Sequence, residues 1–320
     1  MVDFNKLIDR EPFEPDTPAL ISAIKGKTVL ITGGGGSIGS ELAMLVVGYE
    51  PKRLVLADRC EEHLFNIGQR LEIEGKANNV VLTITDICNE KATLELFSKH
   101  KPDIVFHSAA YKHVPLMENH ESEARDNNFN GTVNVLGASL GARVGKTVMI
   151  STDKAVNPTS IMGKTKREAE VFVQTRITYP YYPPSLPQAD VAIVRFGNVL
   201  GSSGSVLTIW DRQVEAGKPI TVTDPNMTRY FITLSEAAML VLHTITMEGD
   251  GDIFLLDMGE QINMMNLAKR YIELTGCKND ITIVGARGGE KMHEETHYSN
   301  EKKTETKYSK IWRLKRANTR

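Results

Sequence analysis

A glycine-rich turn between an apolar run and a helix-forming run constrains the fold of this chain more than any other feature. The apolar run Thr28-Val29-Leu30-Ile31-Thr32 has the character of a buried strand and leads into Gly33-Gly34-Gly35-Gly36-Ser37-Ile38-Gly39. Glycines at this spacing let backbone amides approach a pyrophosphate, and the following helix presents a partial positive charge to the anion. The segment therefore predicts a dinucleotide-binding strand–turn–helix unit. The expected contacts are Gly33, Gly36, Ser37, Ile38 and Gly39.

An acidic residue follows the next apolar run at the spacing of a ribose ligand. Leu54-Val55-Leu56-Ala57 precedes Asp58, which lies roughly 20 residues beyond the turn. A carboxylate at this point binds the ribose hydroxyls of NAD, whereas the adjacent Arg59 could receive the 2′-phosphate of NADP. We expect NAD, with NADP as the alternative.

Apolar and amphipathic segments alternate along the chain. The predicted strands are 28–32, 53–57, 79–84, 103–106, 146–150 and 191–194, and the predicted helices start at 38 or cover 61–74, 90–99, 121–140 and 160–177. Repeated strand–helix–strand units predict an α/β fold with a Rossmann-type doubly wound parallel sheet. The prolines between residues 179 and 187 indicate an exposed loop.

The alternation also suggests a division of the chain. We expect an N-terminal arm outside the core over residues 1–25 and an NAD(P)-binding domain over 26–195. A smaller substrate-binding lobe should follow, mainly over 196–300, with some return to the sheet. Residues 301–320 are basic and polar, and we expect a solvated tail there.

Composition narrows the expected partners and location. The net charge of -2 argues against a nucleic-acid binder. Three cysteines without C-x-x-C spacing suit a reducing compartment. No stretch approaches the roughly 18 apolar residues of a membrane span, and the charged N-terminus lacks a signal-peptide pattern. We therefore expect a soluble, cytoplasmic protein with no membrane span in this chain.

A polar run after the strand at 146–150 is the candidate catalytic segment. Thr152, Asp153 and Lys154 follow this strand directly, at the sheet edge where ligands bind in such folds. Neighbouring aspartate and lysine supply an acid and a base of unlike character. Met162 and Lys166 follow on the predicted helix. The alternative interpretation of Asp153 and Lys154 is a surface ion pair.

Together these motifs resemble the extended short-chain dehydrogenase/reductase superfamily and, within it, the UDP-N-acetylglucosamine 4,6-dehydratases of bacterial surface-glycan synthesis. Most extended members carry Tyr-x-x-x-Lys, where this chain has Met162 and Lys166. The methionine form resembles the catalytic half of large membrane-anchored dehydratases, and residues 1–25 resemble the segment that precedes that half. The matching segments are Thr32 to Gly39, His107 to Pro115, Asn128 with Gly131-Thr132, Ser151 to Lys154, Arg195 to Gly201, Met227 to Phe231 and Arg287 to Lys291.

The resemblance implies a dehydration that proceeds through internal hydride transfer. Hydride leaves sugar carbon four for NAD, a base removes the proton at carbon five, an acid expels the hydroxyl at carbon six, and hydride returns to carbon six. By resemblance Lys154 is the base and Asp153 the acid. Met162 cannot accept a proton, so we expect Asp153 also to deprotonate the 4-hydroxyl while Thr152 positions it. A proton relay through Thr152 is the alternative, and a methionine that marks lost catalysis is another.

Further contacts are implied by the same resemblance. Lys166 should bind the nicotinamide ribose. The other expected cofactor contacts are Asp86, Ile87, Ala109, Ala110 and Asn128, and the expected substrate contacts are Lys112, His113, Asn198, Arg229, Arg287 and Glu290. Arginine's planar fork suits a diphosphate, although a surface salt bridge is the alternative for each arginine. Relatives commonly pair through helices, so we expect a homodimer or a higher homo-oligomer.

Three functional hypotheses follow. The first is a dehydratase acting on UDP-N-acetylglucosamine with the carbon-five configuration retained. The second is a carbon-five-inverting dehydratase or a nucleotide-sugar 4-epimerase, although epimerases usually keep the tyrosine. The third is a dinucleotide-sensing scaffold without turnover.

A rival hypothesis from another enzyme class is a zinc peptidase, because His293-Glu294-Glu295-Thr296-His297 matches H-E-x-x-H. The motif follows glycines and lacks a third ligand, so we expect no metal.

Overall fold

The computed structural model describes residues 4–175, 190–249 and 251–316. The strands are β1 Thr28–Thr32, β2 Arg53–Asp58, β3 Val80–Ile84, β4 Ile104–His107, β5 Lys146–Thr152, β6 Asp190–Phe196, β7 Asn198–Leu200, β8 Ile220–Val222, β9 Thr228–Arg229, β10 Phe231–Thr233, β11 Ile253–Leu256, β12 Ile262–Asn263, β13 Ile281–Ile283, β14 Glu301–Glu305 and β15 Ile311–Arg316. The helices are α1 Phe4–Ile8, α2 Thr17–Ile24, α3 Ser37–Val46, α4 Glu61–Ile73, α5 Glu90–His100, α6 Val114–Met117, α7 Glu121–Arg125, α8 Gly131–Gly141, α9 Ile161–Thr175, α10 Val206–Glu215, α11 Leu234–His243 and α12 Met264–Thr275.

Nine strands form one sheet in the order β14-β15-β11-β6-β5-β4-β1-β2-β3. Every pairing from β3 across to β11 is parallel, whereas β15 pairs antiparallel with β11 and with β14. The run β3-β2-β1-β4-β5-β6 has the strand order of a Rossmann-type doubly wound sheet. The predicted fold class is therefore confirmed.

Burial explains why the central strands lack an alternating pattern. All five residues of β1 are buried, as are five of the six in β2. Helices cover both faces of a parallel sheet, so each strand must be apolar on both sides. The helix predicted over 121–140 is interrupted, because a π-helical segment over Asp126–Asn130 lies between α7 and α8.

The prediction that residues 1–25 lie outside the core is wrong for the described part. Leu20 and Ile24 of α2 are fully buried among the core side chains of the large sheet. Leu7 of α1 is fully buried in a second apolar cluster, most of whose other members come from residues 200–271. Asp16 caps α2 by accepting a hydrogen bond from the Ala19 N–H. The arm is therefore an integral part of the packing.

The prediction of a solvated basic tail over 301–320 is wrong for residues 301–316. These residues contain the hairpin β14–β15, which extends the sheet at one edge. Ile311 and Leu314 are buried in the sheet core, and Glu301 is also buried. The lysines that made the segment look like a tail, Lys302 and Lys303, are exposed.

A smaller lobe packs around its own apolar cluster. Trp210 of α10, Tyr271 of α12 and Met227 are buried there. Two short sheets, β8 with β13 and β9 with β12, lie in this part of the chain. Helix α11 instead contributes Leu240 to the core of the large sheet. The loop predicted between 179 and 187 lies outside the described residues.

No helix in the described ranges has both the length and the apolar character that crossing a membrane would need.

Candidate active site

The glycine-rich turn brings the backbone of β1 against the end of β4. Gly33 has a φ of +66°, and a Cβ on it would lie 2.7 Å from the Ala109 backbone. A Cβ on Gly39 would lie 2.1 Å from the Gly33 carbonyl oxygen. Side chains are thus excluded at both positions, which explains the spacing of the glycines.

This turn forms a wall of a cleft with a volume of about 630 Å³. The size suits a bound small molecule or cofactor. The predicted cofactor residues that line the cleft are Gly33, Gly36, Ser37, Ile38, Gly39, Asp58, Arg59, Asp86, Ile87, Ala109, Ala110 and Lys166. The carboxyl ends of the parallel strands therefore bring these chain-distant residues together, as doubly wound sheets do.

Asp58 and Arg59 are held in different ways. Asp58 accepts hydrogen bonds from the Gly35 N–H at 3.1 Å and the Cys60 N–H at 3.0 Å, one on each carboxylate oxygen. The Arg59 guanidinium instead lies over the Tyr111 ring, 4.5 Å from its centroid. The cleft therefore has a fixed carboxylate at the end of β2, beside a cation that stacks on an aromatic ring.

Asn128 lies behind the cleft wall. It is fully buried, and its Nδ2 donates to the Tyr111 carbonyl at 3.0 Å and to the Thr165 hydroxyl at 3.1 Å. Its Oδ1 accepts from the Tyr111 N–H at 2.8 Å. These bonds fix the segment after β4 against α9, so Asn128 braces the wall. The neighbouring Asn127 lines the cleft in place of the predicted Asn128.

Met162 and Lys166 lie on α9 and line the same cleft. Met162 is buried and packs with Val114, Met117 and Ala124. Lys166 is also buried, and its Nζ donates to the Ile150 carbonyl at 2.6 Å. Burial lowers the pKa of Lys166 to about 8.

The segment after β5 places an acid and an amine in contact. Asp153 is fully buried, and its Oδ1 accepts from the Thr152 hydroxyl at 2.9 Å and from Lys154 Nζ at 3.0 Å. Asp153 Oδ2 is buried and has no hydrogen-bond partner among the described residues. The alternative of a surface ion pair is therefore wrong. A buried oxygen of this kind is unfavourable in a purely structural role.

A second cavity of about 500 Å³ adjoins the first. Lys112, His113, Lys154 and Asn198 line both cavities, so they mark the junction. Lys154 Nζ donates to Asn198 Oδ1 at 2.9 Å. Burial lowers the pKa of Lys112, and burial together with that lysine lowers the pKa of His113. Lys154 thus lies at the point where the two spaces meet, whereas Asp153, in contact with it, is buried and lines neither cavity.

The remaining predicted substrate residues line the second cavity. Arg229 is buried, and it donates to the carbonyls of Thr228 at 2.8 Å and Met292 at 3.2 Å. Arg287 is more exposed and has its Nε 3.6 Å from Glu290 Oε1. Arg287 therefore forms the salt bridge that was the alternative to phosphate binding, but Arg287 and Glu290 both line the second cavity.

A loop that the sequence analysis overlooked, residues 201–205, closes one side of the cleft. The Ser203 N–H donates to Ser37 Oγ at 3.0 Å, and Lys112 Nζ donates to Ser202 Oγ at 3.2 Å. Gly204 has a φ of +66°, and a Cβ there would lie 2.5 Å from the His113 ring. The signal in the sequence was the run Gly201-Ser202-Ser203-Gly204-Ser205, which combines small residues with turn-forming glycines.

The H-E-x-x-H segment has a different geometry from a zinc site. Residues 293–297 form no helix, so the two histidines do not share a helix face. Among the described residues, no group of three or more His, Cys, Asp or Glu side chains is placed to hold a metal. Glu294 is instead buried in the wall of the second cavity, with Oε1 3.8 Å from Lys154 Nζ.

Comparison with known proteins places this site in a family. The family model described as polysaccharide biosynthesis protein matches residues 29–316. The chain belongs to this polysaccharide biosynthesis family. The matched range includes the glycine-rich turn, the Asp153–Lys154 pair, both cavities and the whole C-terminal hairpin.

This family member is similar to longer proteins. It is 42% identical to the capsular polysaccharide biosynthesis protein CapD of Staphylococcus aureus, over 98% of this chain and 52% of CapD. It is 41% identical to the probable polysaccharide biosynthesis protein EpsC of Bacillus subtilis, over 95% of this chain and 50% of EpsC. The chain thus spans about half the length of these two relatives. A UDP-glucose 4-epimerase of Rickettsia canadensis is 33% identical, over 84% of this chain and 76% of that protein.

Solved structures of related proteins share the fold. Pen from Bacillus thuringiensis superposes with a TM-score of 0.82 at 32% identity, covering 91% of this chain and 90% of Pen. The dTDP-glucose 4,6-dehydratase DesIV of Streptomyces venezuelae has a TM-score of 0.73 at 18% identity, over 84% of this chain and 88% of DesIV, which shows the fold alone. The predicted extended short-chain dehydrogenase/reductase fold of this family member is confirmed.

Proposed function

We propose that this chain is the catalytic part of a nucleotide-sugar 4,6-dehydratase. Its substrate is UDP-N-acetylglucosamine, and its product is UDP-2-acetamido-2,6-dideoxy-4-keto-hexose with the carbon-five configuration retained. The buried Asp153–Lys154 pair beside the junction of two cavities carries the proposal. The names of the relatives CapD and EpsC support a role in polysaccharide biosynthesis.

The larger cleft fits a nicotinamide dinucleotide. Any Cβ on Gly33 or Gly39 would fill the turn, so the backbone there is free to cradle a pyrophosphate. Asp58 would bind a ribose, and the Lys166 amine would bind the nicotinamide ribose. When bound, NAD supplies a hydride acceptor for sugar carbon four and a hydride donor for carbon six.

Asp153 carries a proton between two positions of the sugar. Its buried Oδ2 has no hydrogen-bond partner among the described residues and lies next to Gly197, which lines the cleft. In the proposed reaction this oxygen receives the proton of the 4-hydroxyl as that carbon is oxidised. The Thr152 hydroxyl donates to Oδ1 and fixes the carboxylate. The protonated Asp153 then gives its proton to the 6-hydroxyl, which leaves as water. One acid thereby fills the role that a tyrosine fills in most of the superfamily.

Lys154 removes the proton at carbon five. The ketone at carbon four acidifies this position, and the amine beside the junction is placed to reach a sugar that extends from the second cavity toward the cleft. The same amine returns the proton to carbon five, on the same face, and this retains the configuration. Met162 contributes an apolar wall that excludes water and takes no part in proton transfer.

The second cavity would hold the nucleotide. Arg229 and Arg287 are the candidate phosphate ligands, and Glu290 is the candidate ligand of the uridine ribose. Lys112, His113 and Asn198 lie where the diphosphate would meet the sugar. A homodimer remains part of the proposal.

A second candidate is 4-epimerisation, which the similarity to the Rickettsia epimerase favours. An epimerase needs no base at carbon five and makes no methyl group. The close contact of Asp153 with Lys154 has no evident use in that reaction, so we rank it second.

Proton NMR of the purified chain with UDP-N-acetylglucosamine in heavy water tests the proposal. A new methyl signal with deuterium at carbon five is the expected result, and its couplings report the configuration there. A UDP-N-acetylgalactosamine spectrum would establish epimerisation instead. Bound dinucleotide with an unchanged sugar would reject both reactions and favour a scaffold. Lys154→Ala is the matched negative control.

A further inference from the structure

Glu294 is a second carboxylate near Lys154 and has no role in the reaction as described so far. It is 4% exposed, and its Oε1 lies 3.8 Å from Lys154 Nζ. Its Oε2 lies 3.8 Å from Lys291 Nζ and is buried without a hydrogen-bond partner among the described residues. The side chain lines the second cavity. It is therefore a buried carboxylate that approaches two amines without a close bond to either.

Both amines have closer partners elsewhere. Lys154 Nζ donates to Asp153 Oδ1 at 3.0 Å and to Asn198 Oδ1 at 2.9 Å. Lys291 Nζ donates to the Val156 carbonyl at 2.6 Å. An unsatisfied buried carboxylate oxygen is destabilising unless something else requires it. Two ion pairs of 3.8 Å, neither of them a hydrogen bond, compensate this buried carboxylate only weakly.

The chemistry of dehydration supplies a reason. Lys154 must be a neutral amine when it attacks the proton at carbon five. At that stage Asp153 already holds the proton from the 4-hydroxyl, so it cannot also take one from the lysine. A different acceptor that faces Lys154 would take this proton without recourse to solvent. The charged groups around the second cavity are Lys112, His113, Arg229, Arg287, Glu290, Lys291 and Glu294, and of its two carboxylates it is Glu294 that lies within ion-pair distance of Lys154.

We propose that Glu294 is a positioning residue that stores the proton of Lys154 during the reaction. The proposal rests on the 4,6-dehydration proposed above. A Lys154 N–H bond breaks as an O–H bond forms on Glu294, and the neutral amine then takes the proton from carbon five. After hydride reaches carbon six, Lys154 returns its proton to carbon five and Glu294 returns its own to Lys154. At the end Asp153, Lys154 and Glu294 have their original protonation states, and the sugar has lost one water molecule.

The present separation of 3.8 Å is longer than a proton-transfer distance. Catalytic hydrogen bonds are often long before substrate binds and shorten in the complex. The flexible lysine side chain and the carboxylate face one cavity, so a sugar that engages Asp153 can shift Lys154 toward Glu294.

Glu294→Gln tests the proposal, with the exposed neighbour Glu295→Gln as the matched control. Two steps are followed in a single turnover in heavy water. The near-ultraviolet absorbance of reduced nicotinamide reports oxidation at carbon four, and deuterium incorporation reports proton removal at carbon five. We expect Glu294→Gln to keep the first step while the second falls by about 100-fold near neutral pH. The deficit should shrink at higher pH, because hydroxide can then take the proton that Glu294 would have taken. The control should match the wild type.

Several outcomes would overturn the proposal. Equal slowing of both steps at every pH would show a structural role, and an unchanged exchange rate would show no role. If Glu294→Gln folds poorly or loses its dinucleotide, Glu294→Asp is the deciding variant. It keeps a proton acceptor, so its pH profile should match that of the wild type. If the Glu294→Asp variant instead loses exchange at carbon five and recovers it only at high pH, storage of the proton by the carboxylate is contradicted. A wild-type protein that makes no methyl product rejects the proposed function itself, which separates the two failures.

Discussion

The carboxylate of Glu301 accepts a hydrogen bond from the guanidinium of Arg195 at 2.9 Å, in an ion pair that is almost wholly buried. Arg195 lies in β6, and Glu301 begins the C-terminal hairpin 106 residues later. Glu170 of α9 engages the same guanidinium through both carboxylate oxygens. Burial alone would lower the pKa of Arg195, but the two carboxylates outweigh it and raise that pKa. The hairpin is thereby tied to the centre of the molecule.

Glu301→Gln should lower the free energy of unfolding by about 2–3 kcal/mol. A charge-assisted hydrogen bond inside the protein is lost, while Glu170 still neutralises Arg195. Urea denaturation measures the change. Glu305→Gln is the control, because Glu305 lies on the same strand and is exposed. Equal stabilities of the two variants would contradict a structural role for the buried pair.

Lys166 should make stability depend on pH in the alkaline range. Burial penalises its ammonium form and lowers its pKa to about 8 from 10.5 in the unfolded chain, so the folded state binds this proton more weakly. Stability relative to Lys166→Met should therefore rise between pH 8 and pH 10.5, by on the order of 3 kcal/mol. Denaturation of both proteins across this range measures the difference, in which other titrations cancel. Parallel profiles would contradict the assignment.

The purified protein should contain NAD. The Asp58 carboxylate is fixed by two backbone amides and would repel the 2′-phosphate of NADP. Asp58→Asn should change the ratio of the two affinities about tenfold in favour of NADP, or about 1.4 kcal/mol. Calorimetric titration of both cofactors measures the ratio. Bound NADP in the wild type, lost in Arg59→Ala, would instead show that Arg59 sets the choice.

Met162→Leu should leave turnover within a few-fold of the wild type. The buried methionine packs with apolar neighbours, and leucine has a similar volume. Asp153→Asn, which removes the proposed proton carrier, should lose about 10²–10⁴-fold in rate. The rate of methyl-product formation compares the two. A severe loss in Met162→Leu, with the dinucleotide still bound, would show that the sulfur takes part in the reaction.

The parts of the site that could be predicted are those encoded by neighbouring residues. The glycine-rich turn follows β1 directly, Asp58 is the last residue of β2, and the Asp153–Lys154 pair follows β5 directly. In a doubly wound sheet the carboxyl ends of the strands meet at one edge, so strand order and local spacing suffice to bring such residues together. The cleft contains nearly all the residues predicted on this basis.

The parts that escaped prediction depend on contacts between distant segments. Ser203 and Ser37 are 166 residues apart in the chain, yet their hydrogen bond closes the cleft. Asn128 carries a polar side chain next to the site, but its amide is taken up by Tyr111 and Thr165. In the sequence, Glu294 was notable only as the glutamate of the H-E-x-x-H motif. A local sequence pattern does not determine which side chains are covered by segments that are distant in the chain.

The amino-acid sequence by itself determined the parallel sheet, the turn that suits a dinucleotide and the acid–amine pair, because each arises from residues adjacent in the chain. Tertiary structure alone decided that the arm and the hairpin belong to the core and that Glu294 faces Lys154. The physical reason is that the burial of a residue depends on which distant segments pack against it in the folded chain. The lysine-rich segment 301–316 forms a hairpin at the sheet edge because Ile311 and Leu314 pack into the core and Glu301 pairs with the buried Arg195.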